Sequence, residues 1–119
     1  MSEQEQIYPS ATKELIEQRK NLAPKPAEAF KVFSQSVFAE GALPAKTKQL
    51  IAVAIAHVTQ CPYCIRGHTK SALQKGATPE EIMEAIWVAA EMRAGAAHAH
   101  SLLALDTITH VQSRTSGQL

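Results

Sequence analysis

The chain has 119 residues, enough for one domain to bury a core without disulfide or metal support. Hydrophobic residues make up 45% of the sequence, and the formal net charge is +1. These values argue against an intrinsically disordered chain and against a polyanion-binding one, so nucleic acid is not expected as a partner.

The N-terminal residues give no sign of export. Residues 1–6 read MSEQEQ and lack the basic and apolar stretches of a secretory signal. The longest strictly apolar run, residues 50–56, is far shorter than the roughly 20 residues that span a bilayer. We therefore expect a soluble, cytoplasmic protein with no membrane partner.

Residues typical of helix starts and helix ends recur along the sequence and predict helices throughout. No stretch alternates β-branched and polar residues as a strand would. We predict an all-α fold, a compact single-domain bundle of five to six helices. The first helix is predicted over residues 10–21 and stops before a linker, Pro24-Lys25-Pro26. The second is predicted over residues 27–40, with Gly41 as its C′ stop. Its shared apolar face consists of Phe30, Phe33 and Val37.

The third and fourth helices are delimited by prolines. Pro44 suits the first turn of a third helix, which continues through residues 50–56 and is apolar nearly all the way round. We predict that this helix is central. Pro62 suits the first turn of a fourth helix, which ends at Gly76.

The fifth helix has the clearest start. Thr78-Pro79-Glu80-Glu81 combines a capping box with proline at the first helical position. The buried residues predicted from its pattern are Ile82, Ile86 and either Ala89 or Ala90. At Gly95 the chain either kinks or begins a sixth helix, and residues 113–119 are predicted to fray.

Cys61 and Cys64 are the two cysteines of the chain. They are too close in sequence to clamp distant segments, so in a reducing compartment they indicate redox catalysis or metal binding. Because Pro62 places a helix start here, unpaired N–H groups and the positive end of the helix dipole favour a thiolate. The signal is moderately specific, since structural zinc sites use the same Cys-x-x-Cys spacing.

His68 follows Cys64 by four residues, which places the imidazole on the same helix face, where it could accept or return a proton. Ile65 and Ala72 share this face, so we expect a partly apolar pocket in front of the pair. The alternative is a histidine satisfied by a backbone carbonyl.

Other histidines offer weaker candidates. His57 lies four residues before Cys61, and with His68 it would complete four possible zinc ligands, although a structural role for His57 is the commoner outcome. His98 and His100 face opposite sides of a helix, so at most one could reach the cysteines. Trp87 is interpreted as a core or subunit-interface residue. The charged residues interpreted as solvated faces and caps are Lys46, Lys48, Glu80, Glu81 and Glu84.

Three stretches carry a resemblance to a known family: KQLIAVA at residues 48–54, CPYCIRGHTK at residues 61–70 and GATPEEI at residues 76–82. They resemble the carboxymuconolactone decarboxylase family, in its alkylhydroperoxidase-D-like (AhpD-like) branch, over about residues 44–105. The resemblance implies an all-helical homo-oligomer with peroxidase or disulfide-reductase activity.

The resemblance carries over to Cys61, Cys64 and His68, with Cys64 as the attacking thiol and Cys61 as the resolving one. The register of His68 with Cys64 agrees, whereas thioredoxin-like reasoning would favour the first cysteine. The sequence departs from the family's peroxidases at two positions, where Gln49 replaces a glutamate and Tyr63 replaces a histidine. A carboxylate-driven proton relay therefore does not transfer to this chain.

We therefore expect a thiol-dependent peroxidase in which Cys64 attacks a hydroperoxide, Cys61 closes a disulfide and an external dithiol, a small protein or a low-molecular-weight thiol, reduces it. His68 would carry protons, and Gln49, Tyr63, His57 or His100 would order water around it. No cofactor or metal is required. The alternatives are a protein disulfide reductase without peroxidase activity and a zinc-stabilised interaction module. We also expect a trimer or hexamer built through the third helix and the segment around Trp87.

Overall fold

A computed structural model describes residues 7–115, which form five α-helices and contain no β-strand. The all-α prediction is therefore confirmed for this part of the chain. The helices are α1 (Lys13–Leu22), α2 (Pro24–Phe38), α3 (Ala45–Thr59), α4 (Pro62–Gln74) and α5 (Pro79–Thr115).

The predicted linker between the first two helices is wrong. Pro24 and Pro26 lie in the first turn of α2, where proline costs little because the N–H groups of that turn have no partner within the helix. Ala23 alone separates the two helices. At its other end α2 stops at Phe38, two residues before the predicted boundary, because the backbone of Ala39 is extended.

Helices α3 and α4 form a tight hairpin around Gln60. The backbone of Gln60 is left-handed, with φ 58°, a conformation that usually favours glycine at a helix end. Its side-chain amide donates to the carbonyl of His57 at 2.7 Å, and the N–H of Cys61 donates to the carbonyl of Ala56 at 3.2 Å. These bonds stabilise the turn and place Cys61 directly at the start of α4.

The capping box at α5 is confirmed. Thr78 Oγ1 accepts from the N–H of Glu81 at 3.1 Å, and Glu81 Oε1 accepts from the N–H of Thr78 at 2.9 Å. The helix continues through Gly95, so no sixth helix begins there. Residues 113–115 are helical rather than frayed, and residues 116–119 lie outside the described part.

The core is small and lies where α3, α4 and α5 meet. Its buried members are Val53, Ala72, Ala77 and Ile82. As predicted, α3 is central, since it packs against α2, α4 and α5. Ile82 and Ala89 are buried as expected, Ile86 is half-buried, and Ala90 is exposed.

Much of the apolar surface is uncovered in the single chain. Trp87 is 68% exposed, so it is not a core residue of this chain. The radius of gyration is 21.4 Å, compared with about 13.5 Å for a compact domain of this length. Apolar side chains on α2 and on the distal half of α5, such as Phe33 and Leu102, are mostly exposed. Within residues 7–115 no helix combines the length and the apolar character that crossing a membrane requires.

Candidate active site

Cys61 is the N-cap residue of α4. Its Sγ accepts a hydrogen bond from the backbone N–H of Cys64 at 3.2 Å, which is the position that a serine or aspartate oxygen occupies at an ordinary helix start. Pro62 occupies the first helical position and supplies no N–H of its own. The first turn of the helix therefore directs a donor at the Cys61 sulfur, which favours its anionic form.

The two thiols differ in acidity. A hydrogen bond from the Cys64 side chain, together with the Cys64 backbone N–H, lowers the pKa of Cys61. The same side-chain contact raises the pKa of Cys64, and its partial burial acts in the same direction. Both thiols are free in this structure. In the reduced pair Cys61 is therefore the more acidic of the two thiols, and Cys64 the less acidic.

His68 is held between two residues from other helices. Its Nδ1 lies 2.8 Å from Oε1 of Gln49, and its ring stacks on Phe38 with 5.0 Å between the ring centroids. An amide oxygen can only accept, so Nδ1–H is the donor in this contact, and Nε2 is the ring nitrogen left to exchange a proton. Gln49 is only 7% exposed, which fixes this contact within the α3 packing.

Cys64 and His68 both line a cavity of about 460 Å³ between α2, α3 and α4. The expected pocket is present, but its apolar walls come from α2 and α3 and not from Ile65 or Ala72. The other lining residues are Val37, Phe38, Leu43, Lys48, Ile51, Ala52, Ile55, Ala56 and Thr59. This wall is almost wholly apolar, so the cavity suits an organic group placed next to the thiol and the imidazole.

Two residues of this cavity were not found from the sequence. Phe38 is thirty positions from His68, and nothing in the local pattern indicates that their rings meet. The sequence pattern predicts a solvated Lys48, but this residue is half-buried, and its Nζ donates to the carbonyls of Val37 at 2.8 Å and Ala39 at 2.7 Å. It stabilises the end of α2 by satisfying carbonyls that have no partner within the helix.

The remaining candidate residues lie away from the cavity. His57 Nδ1 bonds to the carbonyl of Val53 at 2.8 Å, which is the structural role described above. Tyr63 is exposed and makes an edge contact with Tyr8, with ring centroids 5.9 Å apart. His100 is exposed on α5. In residues 7–115 no cluster of three His, Cys, Asp or Glu side chains could hold a metal ion, so the zinc-site alternative gains no support.

Several solved structures resemble this one. A protein from Methanobacterium thermoautotrophicum superposes with a TM-score of 0.66 and is 40% identical, covering 70% of this chain and 93% of that one. A protein from Thermotoga maritima covers 91% of this chain and 97% of its own length, with a TM-score of 0.64 and 26% identity. An apo carboxymuconolactone decarboxylase family protein from Legionella pneumophila is 35% identical over 65% of this chain and 69% of that one, with a TM-score of 0.62.

Sequence relatives point the same way. An uncharacterized protein of the cox locus of Paracoccus denitrificans is 64% identical over 84 residues, which are 71% of this chain and 76% of that protein. The carboxymuconolactone decarboxylase family model matches residues 24–107, which include α2, the thiol pair and His68. The chain therefore belongs to the carboxymuconolactone decarboxylase family.

Proposed function

We propose that the protein is a thiol-dependent peroxidase of the AhpD-like branch, which reduces organic hydroperoxides with the Cys61–Cys64 pair. The observation that carries the proposal is the position of Cys64 and His68 together on the apolar cavity, next to a Cys61 sulfur that accepts a helix N–H. A thiol, a base and an apolar binding space thus meet at one place.

In the oxidation step His68 Nε2 takes the proton of Cys64, whose raised pKa makes this base necessary. The Cys64 thiolate attacks the terminal oxygen of the hydroperoxide and the O–O bond breaks. Cys64 becomes a sulfenic acid, and the leaving alkoxide receives the proton from His68. Gln49 holds the imidazole by its Nδ1–H, so that the same nitrogen, Nε2, both accepts and returns the proton.

Cys61 acts in the second step. Its lowered pKa favours the thiolate, which attacks the Cys64 sulfenic acid and forms the disulfide. The hydroxide that leaves takes a proton from the solvent and becomes water. An external dithiol then reduces the pair. In that exchange Cys61 is the better leaving group, because a sulfur of lower pKa departs faster. The pKa order of the two thiols therefore fits Cys64 as the attacking sulfur and Cys61 as the resolving one.

The test is a rapid mixing of reduced protein with equimolar cumene hydroperoxide in the absence of other thiols. We expect fast, stoichiometric loss of both thiols and formation of the Cys61–Cys64 disulfide, detected by mass spectrometry. A Cys61→Ser/Cys64→Ser double variant is the control. Slow oxidation at the rate of a free thiol would contradict a peroxidase.

One observation favours a second candidate, a protein disulfide reductase. The sulfur with the lower pKa is Cys61, which is not among the residues that line the cavity. A substrate disulfide could meet this sulfur directly, with Cys64 resolving the mixed disulfide. Fast exchange with a model disulfide, combined with slow reaction with cumene hydroperoxide, would favour this function over the first.

We further propose that the chain works as a homo-oligomer, a trimer or hexamer. The support is the amount of large apolar side chain that the single chain leaves uncovered, on α2, along the outer face of α3 and on α5. Ile51 and Ile55, which line the cavity, are themselves exposed, so a neighbouring subunit could close the cavity while burying them.

A further inference from the structure

The near-neutral net charge hides a strongly uneven distribution. No aspartate or glutamate lies between Glu40 and Glu80, although five of the twelve lysines and arginines do. The rest of the chain holds the other seven cations and all eleven acidic residues. The basic middle segment contains the thiol pair.

Two of these five cationic side chains already bind other groups of the chain. Lys46 pairs with Glu81 at 3.1 Å, and Lys48 satisfies the last carbonyls of α2. The side chains of Arg66, Lys70 and Lys75, all near or on α4, make no hydrogen bond and no ion pair with any part of the chain that the structure describes. Their charge is available to a partner.

Arg66 follows Tyr63 by three residues and Lys70 follows Arg66 by four, so these side chains share one face of α4. With residues 10–11 and Gly67 they line a groove of about 300 Å³. Arg19 lines an adjoining groove with the same tyrosine. Because Tyr63 stands between the two cysteines, this basic face begins at the redox pair, on a different side of α4 from the cavity.

We propose that the basic face of α4, formed by Tyr63, Arg66 and Lys70, is the docking surface for the reductant. The reductant is a protein whose dithiol lies beside carboxylate side chains. The face spans about 10 Å of helix from Tyr63 to Lys70, with its two charges about 6 Å apart along the axis. Arg19 of α1 extends it, which fits an acidic protein surface better than a single small anion. This inference rests on the proposed function, because it assumes that the pair cycles through a disulfide.

A thiolate of the reductant attacks the Cys64 sulfur, the Cys61–Cys64 bond breaks, and Cys61 leaves as a thiolate stabilised at the helix start. The second thiol of the reductant then attacks the mixed disulfide and forms the reductant's own disulfide. Its proton passes to Cys64. The substrate cavity and the reductant surface can thus serve the same sulfurs from two sides.

The test uses three synthetic peptides that share one Cys-x-x-Cys core and carry flanking glutamates, lysines or glutamines. The Cys61–Cys64 disulfide is first formed with diamide, so the experiment does not depend on hydroperoxide activity. The rate at which each peptide reduces this disulfide is then measured. At low ionic strength we expect the acidic peptide to react at least about tenfold faster than the basic one, with a difference that shrinks as salt is added. The variant R66E/K70E should reverse the order.

The matched control is K20E/K31E, which makes the same charge change in a groove between α1 and α2. It should keep the preference for the acidic peptide, and both variants should be reduced by dithiothreitol at the wild-type rate. Equal rates for acidic and basic peptides, or an unchanged preference in R66E/K70E, would overturn the docking surface. If R66E/K70E lost as much reduction rate with the small dianionic dithiol dimercaptosuccinate as with the acidic peptide, the assignment of the docking surface to a protein would be overturned. Failure of the proposed function is seen separately, as slow oxidation by cumene hydroperoxide.

Discussion

The turn between α3 and α4 differs from the outer surfaces of α2 and α5 in how its side chains are held. At the turn side-chain hydrogen bonds fix Gln60 and Cys61, and beside it Gln49 of α3 holds His68 of α4. The outer surfaces carry aromatic and aliphatic side chains that residues 7–115 leave largely exposed. One chain therefore positions the groups of the proposed chemistry by itself, whereas the proposed neighbouring subunit would be needed to cover the surfaces around them.

The largest effect is expected at the turn itself. Cys64→Ser should abolish hydroperoxide consumption, because the thiol on the cavity is lost. Cys61→Ser should allow one round of oxidation that stops at a sulfenic acid, which dimedone traps and mass spectrometry locates on residue 64. If Cys61→Ser were the inert variant and Cys64→Ser were trapped by dimedone, the roles of the two sulfurs would be reversed.

His68→Ala should slow the oxidation of Cys64 by about 10²-fold near neutral pH, since the variant lacks the group that takes the thiol proton. The deficit should shrink at alkaline pH, where the thiol ionises unaided. His57→Ala is the matched control, because that ring bonds to a backbone carbonyl, and its rate should stay close to wild type. Stopped-flow rates over a pH series measure both. A deficit independent of pH would mean that His68 acts by packing against Phe38 or by placing the substrate.

Cys64→Ala should raise the pKa of Cys61 toward that of an ordinary thiol, because the largest cause of its depression is the Cys64 side-chain hydrogen bond. The backbone N–H at position 64 remains, so the recovery should be partial. Ultraviolet absorbance of the thiolate during a pH titration measures the shift, with Cys61→Ala as the reference for residue 64. A pKa of Cys61 that did not move would show that the helix start alone sets it.

Gln49→Glu should change the pH profile by a smaller amount, a few-fold in rate at a given pH. A carboxylate accepting from Nδ1 favours the protonated imidazole, so the limb of the profile that needs neutral His68 should move to higher pH. Thermal unfolding is measured in parallel, since residue 49 is buried and an added charge there costs stability. An unchanged profile in a well-folded variant would separate Gln49 from proton transfer.

The turn could be predicted from the sequence because its determinants are local. Pro62, the cysteine spacing and the four-residue step to His68 fix a helix start and a shared face within one segment. The contacts of Phe38 and Lys48 could not be predicted, because they depend on how α2 approaches α3 and α4, and helix patterns do not specify that approach. The order of the thiol pKa values also needed the structure, since it depends on which sulfur accepts the hydrogen bond. The misplaced linker at Pro24 reflects an ambiguity, because proline both ends and begins helices.

The last and smallest effect concerns the uncovered surfaces. Trp87 is exposed on α5 and bonds to nothing that the structure describes, so Trp87→Ala should leave the fold of the single chain nearly unchanged. If α5 packs against a neighbouring subunit, removing the indole weakens that contact and shifts dissociation to higher protein concentration. Light scattering during dilution measures this shift, and turnover with cumene hydroperoxide is followed over the same series.

Activity should fall in step with dissociation if a neighbouring subunit closes the cavity near Ile51 and Ile55. Leu73→Ala, an exposed apolar residue of α4, is the control and should alter neither. A wild-type protein that is monomeric and fully active at low micromolar concentration would contradict the oligomer, and the cavity would then have to work as the single chain forms it.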